Sequence, residues 1–420
     1  MFSIHGDPLA KIGSQQSGGQ NVYVYELSRW LAKRNWQVDI FCRLDNSKNE
    51  TVKKIGNKIK VIRLKAGEIK YLPKENFFEN FVEFFTNFLN YRQENKIDYD
   101  IVHGHYWDGG MVAMKAAETL SLPFVQVFHS LSHVRYNALK KFQNLLDDSQ
   151  QKDFERRFNL EKQIIEKANK IIAESPYEED DLMQYYGTPR EKIVICPAGV
   201  DTKRFSIKDK DKAKEKLKID KETKVILYVG RLEWRKGIGT LIVGASHFIK
   251  KQIDQNFLLL IVGGDFSKHG NSEDQAEYNH LKKVVGEQGV DNFVRFEGSI
   301  SQHRINNYYN AADVVVVPSY YEPFGIVPLE AMATKVPVIA SATGGLQYTV
   351  LNSETGLLIT PHDPLDLAGK LEIMFNEPEL KERIVANAYE RVIKNFNWPI
   401  ITKNIDHLYY NLIKENSHEL

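Results

Sequence analysis

Short apolar runs alternate with amphipathic segments along this chain, and the alternation starts afresh at Lys224. KVILYVGRL is followed by FLLLIVGG, FVRFEG, DVVVVPS and VPVIAS, with helical sequence beyond Pro364. Alternation of this kind is the pattern of a doubly wound parallel sheet, in which helices cover both faces. Its recurrence predicts two such α/β domains in succession. The expected strands of the first half are Phe2–His5, Val38–Arg43, Ile59–Leu64, Ile101–His103, Phe124–Phe128, Lys170–Glu174 and Ile193–Cys196, with helices over Asn21–Lys33 and about Lys74–Asn95. In the second of these helices Phe77, Phe81, Phe84, Phe85 and Phe88 recur at spacings of three and four, which puts the rings on one face as core. Few residues precede Gly6, so the first strand is expected to be short, and a mis-assigned start codon is one reading of that.

Length supports two cores, since 420 residues exceed what one ordinary domain encloses and 42% apolar residues can fill both. The expected division is a first domain over 1–205, a second over 206–397, and a tail from 398 to 420 that packs back on the first. The Lys-rich run Lys208–Lys224 reads as a linker or exposed helix. With 56 Lys+Arg against 55 Asp+Glu, no global field recruits nucleic acid or an acidic membrane, and any anion specificity is local. The apolar runs are far short of the ~20 residues of a membrane helix. Two cysteines and an N-terminus without an apolar stretch behind a basic start fit a reducing cytoplasm.

Candidate ligand residues follow strand ends, where open α/β sheets bind ligands. Ser17-Gly-Gly-Gln-Asn21 reads as a phosphate-binding helix start or as a plain strand-to-helix turn. Gly230-Arg231 with Lys236-Gly237 suits a diphosphate, or supplies ordinary surface charge. Glu322 and Glu330 stand eight residues apart across a Pro-Phe-Gly turn. The first falls in a loop able to accept from sugar hydroxyls, and the second about two turns into a helix, where it could reach a ribose; a solvated Glu and a helix Glu are the plainer alternative. His103, His105, Tyr106 and Asp108 follow one strand and His129 and Ser130 the next; the three histidines could hold zinc, but no nearby Cys or HExxH supports a metal. Asp98-Tyr-Asp100 and Asp209-Lys-Asp211 have the wrong context for a cation. The absence of GxxxxGK[ST] and GxGxxG removes the main support for ATPase and dehydrogenase readings.

GGQNVYVYELSRWLAKRNWQVDIFCR, HGHYWDGG, FHSL, PAGVDTKRF, GRLEWRKG, EPFGIVPLEAMA and ATGG occur in that order over almost the whole chain. Together they resemble the retaining group 1 (family 4) glycosyltransferases of the GT-B fold, a group that includes sucrose-phosphate synthases and the first enzyme of mycothiol synthesis. The likeness is greatest to the bacterial sucrose-phosphate synthases. The resemblance implies two Rossmann-like domains facing a central cleft and metal-independent transfer of glucose from UDP-glucose to fructose 6-phosphate, with no cofactor. Arg231 and Lys236 would hold the donor diphosphate, Glu330 its ribose, and Glu322 the sugar hydroxyls, helped by backbone N–H groups of Phe324 and Gly325. His129 would lie near the reacting carbon and Gly19 beside the phosphate; His129, Arg231, Lys236 and Glu322 would carry the chemistry. Uracil would be read largely by backbone near Arg295–Gly298. Gln20, Lys74, Tyr106, Ser130, Arg135 and Arg157 match positions that bind a phosphorylated acceptor, and Gln20 in GGQNVYV has the sucrose-phosphate synthase form. No Asp-x-Asp-x-Thr phosphatase start is present, so a separate sucrose-phosphate phosphatase is the expected pathway partner. Other donors (ADP-glucose, GDP-mannose), other acceptors (inositol phosphate, fructose) and a non-catalytic sugar-nucleotide sensor remain open alternatives.

Overall fold

A computed structural model describes residues 1–10, 18–142, 148–252, 256–266 and 272–419; Ser17 lies outside them. The chain divides into two compact units. One takes in Met1–Ala10, residues 18–197 and the helix Trp398–Glu419, the other Ala198–Asn397.

The strands of the first unit are β1 (Val38–Arg43), β2 (Val52–Ile55), β3 (Ile59–Leu64), β4 (Val102–His105), β5 (Phe124–Val127), β6 (Lys170–Ala173) and β7 (Ile193–Ile195). They run in the orders β2-β3-β1 and β4-β5-β6-β7, parallel except for the β2–β3 pair. Phe2 joins the two sets by bridging Phe41 on one side and Gly104 on the other. The expected strand Phe2–His5 therefore contracts to a bridge, although Ser3 N–H still donates to Phe41 O and His105 N–H to Phe2 O, at 2.9 and 3.0 Å. Gly109 makes this possible: a Cβ there would stand 2.3 Å from Phe2 O, so only glycine lets the helix Tyr106–Leu120 press against the segment. The expected strand Ile101–His103 is shifted to β4, and the first helix starts at Gly19 rather than Asn21.

The Phe stripe is core. Phe77, Phe84 and Phe88 are buried, with Phe81 and Phe85 half-buried against the same cluster, and Phe88 meets Phe2 and Phe41 edge-on at 5.0 Å. On another face of the unit the helix Trp398–Glu419 is held by polar contacts. Asp406 accepts from Arg34 Nε and Trp36 Nε1, both at 2.7 Å, and Tyr409 OH lies 2.5 Å from His103 Nδ1.

The second unit holds β8 (Lys224–Val229), β9 (Phe257–Val262), β10 (Val294–Gly298), β11 (Val314–Val317), β12 (Val338–Ser341) and β13 (Leu357–Ile359), all parallel, in the order β10-β9-β8-β11-β12-β13. The Lys-rich run contains a helix, Lys210–Lys216, whose N-cap Asp209 accepts from Lys212 N–H. Lys214 is buried, and its ammonium donates to the carbonyls of Lys221 and Thr223 at 2.8 and 2.7 Å. Part of the run thus anchors the unit. Asp98 pairs with Arg92 at 2.5 Å.

Phe84 is 0% exposed, so Phe84→Ala should cost about 3–5 kcal/mol. Val82, two residues away on the same helix but 72% exposed, should be replaced by Ala with almost no effect. Chemical denaturation of both variants checks this, with the lost stability falling on the transition of the first unit.

Candidate active site

In the second unit the strand order reverses between β8 and β11, because β9 and β10 build outward on one side and β12 and β13 on the other. The loops leaving two such strands diverge and open a ligand site at their carboxyl ends. Those loops carry Arg231 and Lys236 after β8, and Glu322, Phe324 and Gly325 after β11. Tyr320 N–H donates to Arg235 O at 2.8 Å. Gly237 has φ +66°, and a Cβ on it would meet Pro318 O at 2.1 Å, so the loops touch through a residue that must be glycine. Lys236 Nζ reaches Glu322 Oε2 at 2.5 Å. Burial lowers the Lys236 ammonium from its ordinary value, with Glu322 opposing the shift. Arg231 pairs with Glu233, whose other oxygen takes Arg235 Nε at 2.7 Å.

The Glu322-Pro-Phe-Gly turn is fixed from behind by the ATGG segment. Gly345 N–H donates to the carbonyls of Glu322 and Pro323, each at 3.1 Å. Phe324 is buried near Phe396, and Gly325 leads into the helix Ile326–Ala333. Glu330 sits little more than one turn into this helix, not two, because the helix begins only after the turn closes. Tyr309 OH donates to Glu330 Oε2 at 2.5 Å. Burial pushes the Glu330 carboxyl up to about 7, against the pull of Tyr309 and Arg204.

The first unit repeats the device. Counting the Phe2 bridge as its first strand, the order reverses between Phe2 and β4. At the carboxyl end of β4, Tyr106 is buried and held at φ +66°. Arg157 Nη1 donates to its hydroxyl at 2.6 Å, Arg157 Nη2 to Ser130 O, and Arg157 Nε to Glu161 at 2.7 Å. Glu161 is fully buried and also accepts from Tyr186 OH at 2.5 Å and Ser132 N–H at 3.0 Å. Burial alone would raise the Tyr106 phenol, but Arg157, Lys74 and Arg135 outweigh it and leave the phenol below its ordinary value. Burial, with Arg135 and Arg157 nearby, lowers the Lys74 ammonium. Arg135 Nε is buried without a hydrogen-bond partner among the described residues. The arrangement is a cationic pocket with donors in hand, suited to a phosphate. Gln20, in the first turn of the helix Gly19–Lys33, donates to Ser3 Oγ at 3.0 Å, and Gly18 N–H to Asn21 Oδ1 at 3.0 Å.

His129 follows β5 in a left-handed conformation, φ +57°, which a residue with a Cβ keeps only when its contacts hold it. Its Nδ1 faces Glu174 Oε2 and its Nε2 faces His105 Nδ1, each at 3.2 Å. Burial puts His105 and His103 well below the ordinary imidazole value. The described residues contain no group of three or more His, Cys, Asp or Glu arranged to hold a metal ion. The sequence-derived residues therefore fall into two sets, one in each unit. Sequence reasoning missed their partners Glu161, Tyr186, Glu174, Glu233 and Tyr309, of which only Glu161 and Glu233 stand at a readable spacing from the cations they serve.

Comparison with known proteins gives a consistent result. Residues 17–204 match the family described as Glycosyltransferase Family 4, and residues 209–391 that described as Glycosyl transferases group 1. The D-inositol 3-phosphate glycosyltransferase of Corynebacterium aurimucosum is 31% identical over 97% of this chain and 94% of its own. That of Corynebacterium jeikeium is 32% identical over 98% and 96%. Among solved structures, a sucrose-phosphate synthase from Thermosynechococcus elongatus superposes with a TM-score of 0.88 at 36% identity, covering 99% of this chain and 98% of that one.

The raised Glu330 carboxyl gives a signed prediction. An acid whose folded value exceeds its unfolded value of 4.5 is stabilised in its neutral form, so its contribution is full below 4.5 and is lost as pH rises through about 7. Relative to wild type, Glu330→Gln should gain stability between pH 5 and 8, by up to about 3 kcal/mol. Unfolding midpoints of both proteins across that range test it.

Proposed function

This chain belongs to the group 1 glycosyltransferases, enzymes of the GT-B fold, and from that premise we propose that it transfers glucose from UDP-glucose to fructose 6-phosphate with retention, giving sucrose 6-phosphate. The observation that supports the acceptor class is the pair of cations Lys74 and Arg135 beside Tyr106, whose phenol Arg157 holds in place. A neutral sugar has no use for that concentration of charge, whereas a phosphate monoester pairs with it. The choice of fructose 6-phosphate rests on the Gln20 motif and on the 36% identity with the Thermosynechococcus elongatus enzyme. A second reading, with inositol phosphate as acceptor, is favoured by the names of the Corynebacterium relatives and fits the same pocket.

In the proposed mechanism Arg231 and Lys236 hold the donor diphosphate, and Glu322 holds the glucose hydroxyls while keeping Lys236 in place. Phe324 and Gly325 supply backbone N–H groups, Glu330 takes the ribose, and Gly19 lies beside the phosphate. The acceptor hydroxyl attacks C1 of glucose on the face that the leaving group occupies. The bond from C1 to the phosphate oxygen breaks, and an oxygen of the departing UDP takes the hydroxyl proton. Charge grows on that phosphate, so fixed cations lower the barrier and no metal is called for. His129, oriented by Glu174, packs near the reacting carbon. Ser130 and Gln20 complete the acceptor side. The product would pass to a separate phosphatase.

Purified protein incubated with EDTA, fructose 6-phosphate and UDP-glucose, ADP-glucose or GDP-mannose in parallel should give sucrose 6-phosphate from UDP-glucose. Product from inositol phosphate instead would transfer the assignment to the second reading. UDP binding without transfer to any acceptor would favour a sensor.

Two variants separate the proposed roles. Lys236→Ala should lower kcat about 10²–10³-fold, as removal of one transition-state donor does elsewhere. Arg135→Ala should raise the KM of the phosphorylated acceptor at least about tenfold and leave UDP affinity unchanged, an outcome that steady-state kinetics with calorimetry resolves.

A further inference from the structure

Each cation assigned to the donor diphosphate is paired with a carboxylate. Arg231 is paired with Glu233, and Glu233 simultaneously holds Arg235 Nε at 2.7 Å. Lys236 is paired with Glu322 at 2.5 Å. Glu322 has a use in the proposed reaction, as acceptor for sugar hydroxyls, and it can keep Lys236 while serving it. Glu233 has none. It is a carboxylate on the loop after β8, in extended backbone between the two arginines, and a diphosphate gains nothing from a third anion there.

We propose that Glu233 is a built-in counter-ion that competes with the nucleoside diphosphate for Arg231 and so sets how readily the product diphosphate leaves. The inference rests on reading this loop as the donor site. Glu233 takes Arg231 through a single nitrogen, Nη2, so a phosphate that binds the fork through that nitrogen competes with the carboxylate for it, while the remaining N–H donors stay open to the phosphate. Arg235 keeps Glu233 in reach whichever partner Arg231 takes, because it holds the other carboxylate oxygen. With the diphosphate bound, Arg231 turns to it. Once the sugar has been transferred, Glu233 recaptures Arg231 and lowers the barrier to release. The side chains are partly exposed, Arg231 at 36% and Glu233 at 20%, so the competition is weakened by solvent and is a matter of tuning, not of blocking the site.

A purely orienting role predicts the opposite sign from competition. If Glu233 only positions Arg231, its loss weakens diphosphate binding; if it competes, its loss tightens it. The experiment is titration calorimetry with UDP on wild type, Glu233→Gln and Glu233→Asp, at low and high salt, with kcat measured alongside. Glu233→Gln is expected to bind UDP about three- to tenfold tighter, with a steeper salt dependence and a lower kcat. Glu233→Asp keeps the charge but retracts it by one methylene, and is expected to fall between the two. Weaker or unchanged UDP binding in both variants overturns the inference and leaves the donor reading intact. A wild-type protein that does not bind UDP removes the donor reading, and the inference with it.

Discussion

Both candidate sites in this chain depend on a constraint of parallel sheets. Crossover connections between parallel strands are right-handed, so helices change face only where the strand order reverses, and there two adjacent loops must part. Each unit contains one such reversal, between β8 and β11 in the second and between Phe2 and β4 in the first. The candidate residues of each unit gather at its reversal because it is where a sheet presents its carboxyl ends without a helix in the way. Gly109 and Gly237 are the local conditions for this geometry, one letting a helix close on Phe2 and the other letting two loops touch.

Electrostatics in the two pockets follow different rules. In the first unit Arg157 is committed to Tyr106, Ser130 and the buried Glu161, so it acts as a scaffold; Lys74 lies 3.9 Å from Glu75, and Arg135 keeps a buried Nε with no hydrogen-bond partner among the described residues. In the second unit every assigned cation has a nearby carboxylate, Glu233 for Arg231 and Glu322 for Lys236. A pocket with surplus charge grips its anion. A pocket in which charge is balanced exchanges one partner for another, which suits a substrate that must leave as a more highly charged product.

Strands buried on both faces leave continuous apolar runs, and that is why β5, β8, β9, β11 and β12 were readable from the sequence. The edge strand β2 was not, because Val52, Lys53 and Lys54 are exposed and carry no burial signal. The Phe stripe was legible because its period matches a helix face. The candidate residues stand out in the sequence because a strand end followed by glycine and charge is a local pattern, but the partners that set their charge states come from afar. Tyr309 reaches Glu330 from another helix, and Glu174 reaches His129 from another strand end. Glu330 lies shallower in its helix than the sequence implies because the Gly325 turn delays the helix start, a matter of backbone closure that residue types alone do not fix.

The helix Trp398–Glu419 belongs to the first unit although the second unit is made before it. Asp406 and Tyr409, which satisfy Arg34, Trp36 and His103, reach the ribosome's exit only after Ala198–Asn397 has been synthesised. At about 5–20 residues per second that is a wait of roughly 10–40 s, during which the first unit is on hand but cannot be finished. The second unit, contiguous in the chain, has no such delay. Assembly during translation therefore inverts the order of the sequence: the later unit is the first that can be completed, and the earlier one is sealed last.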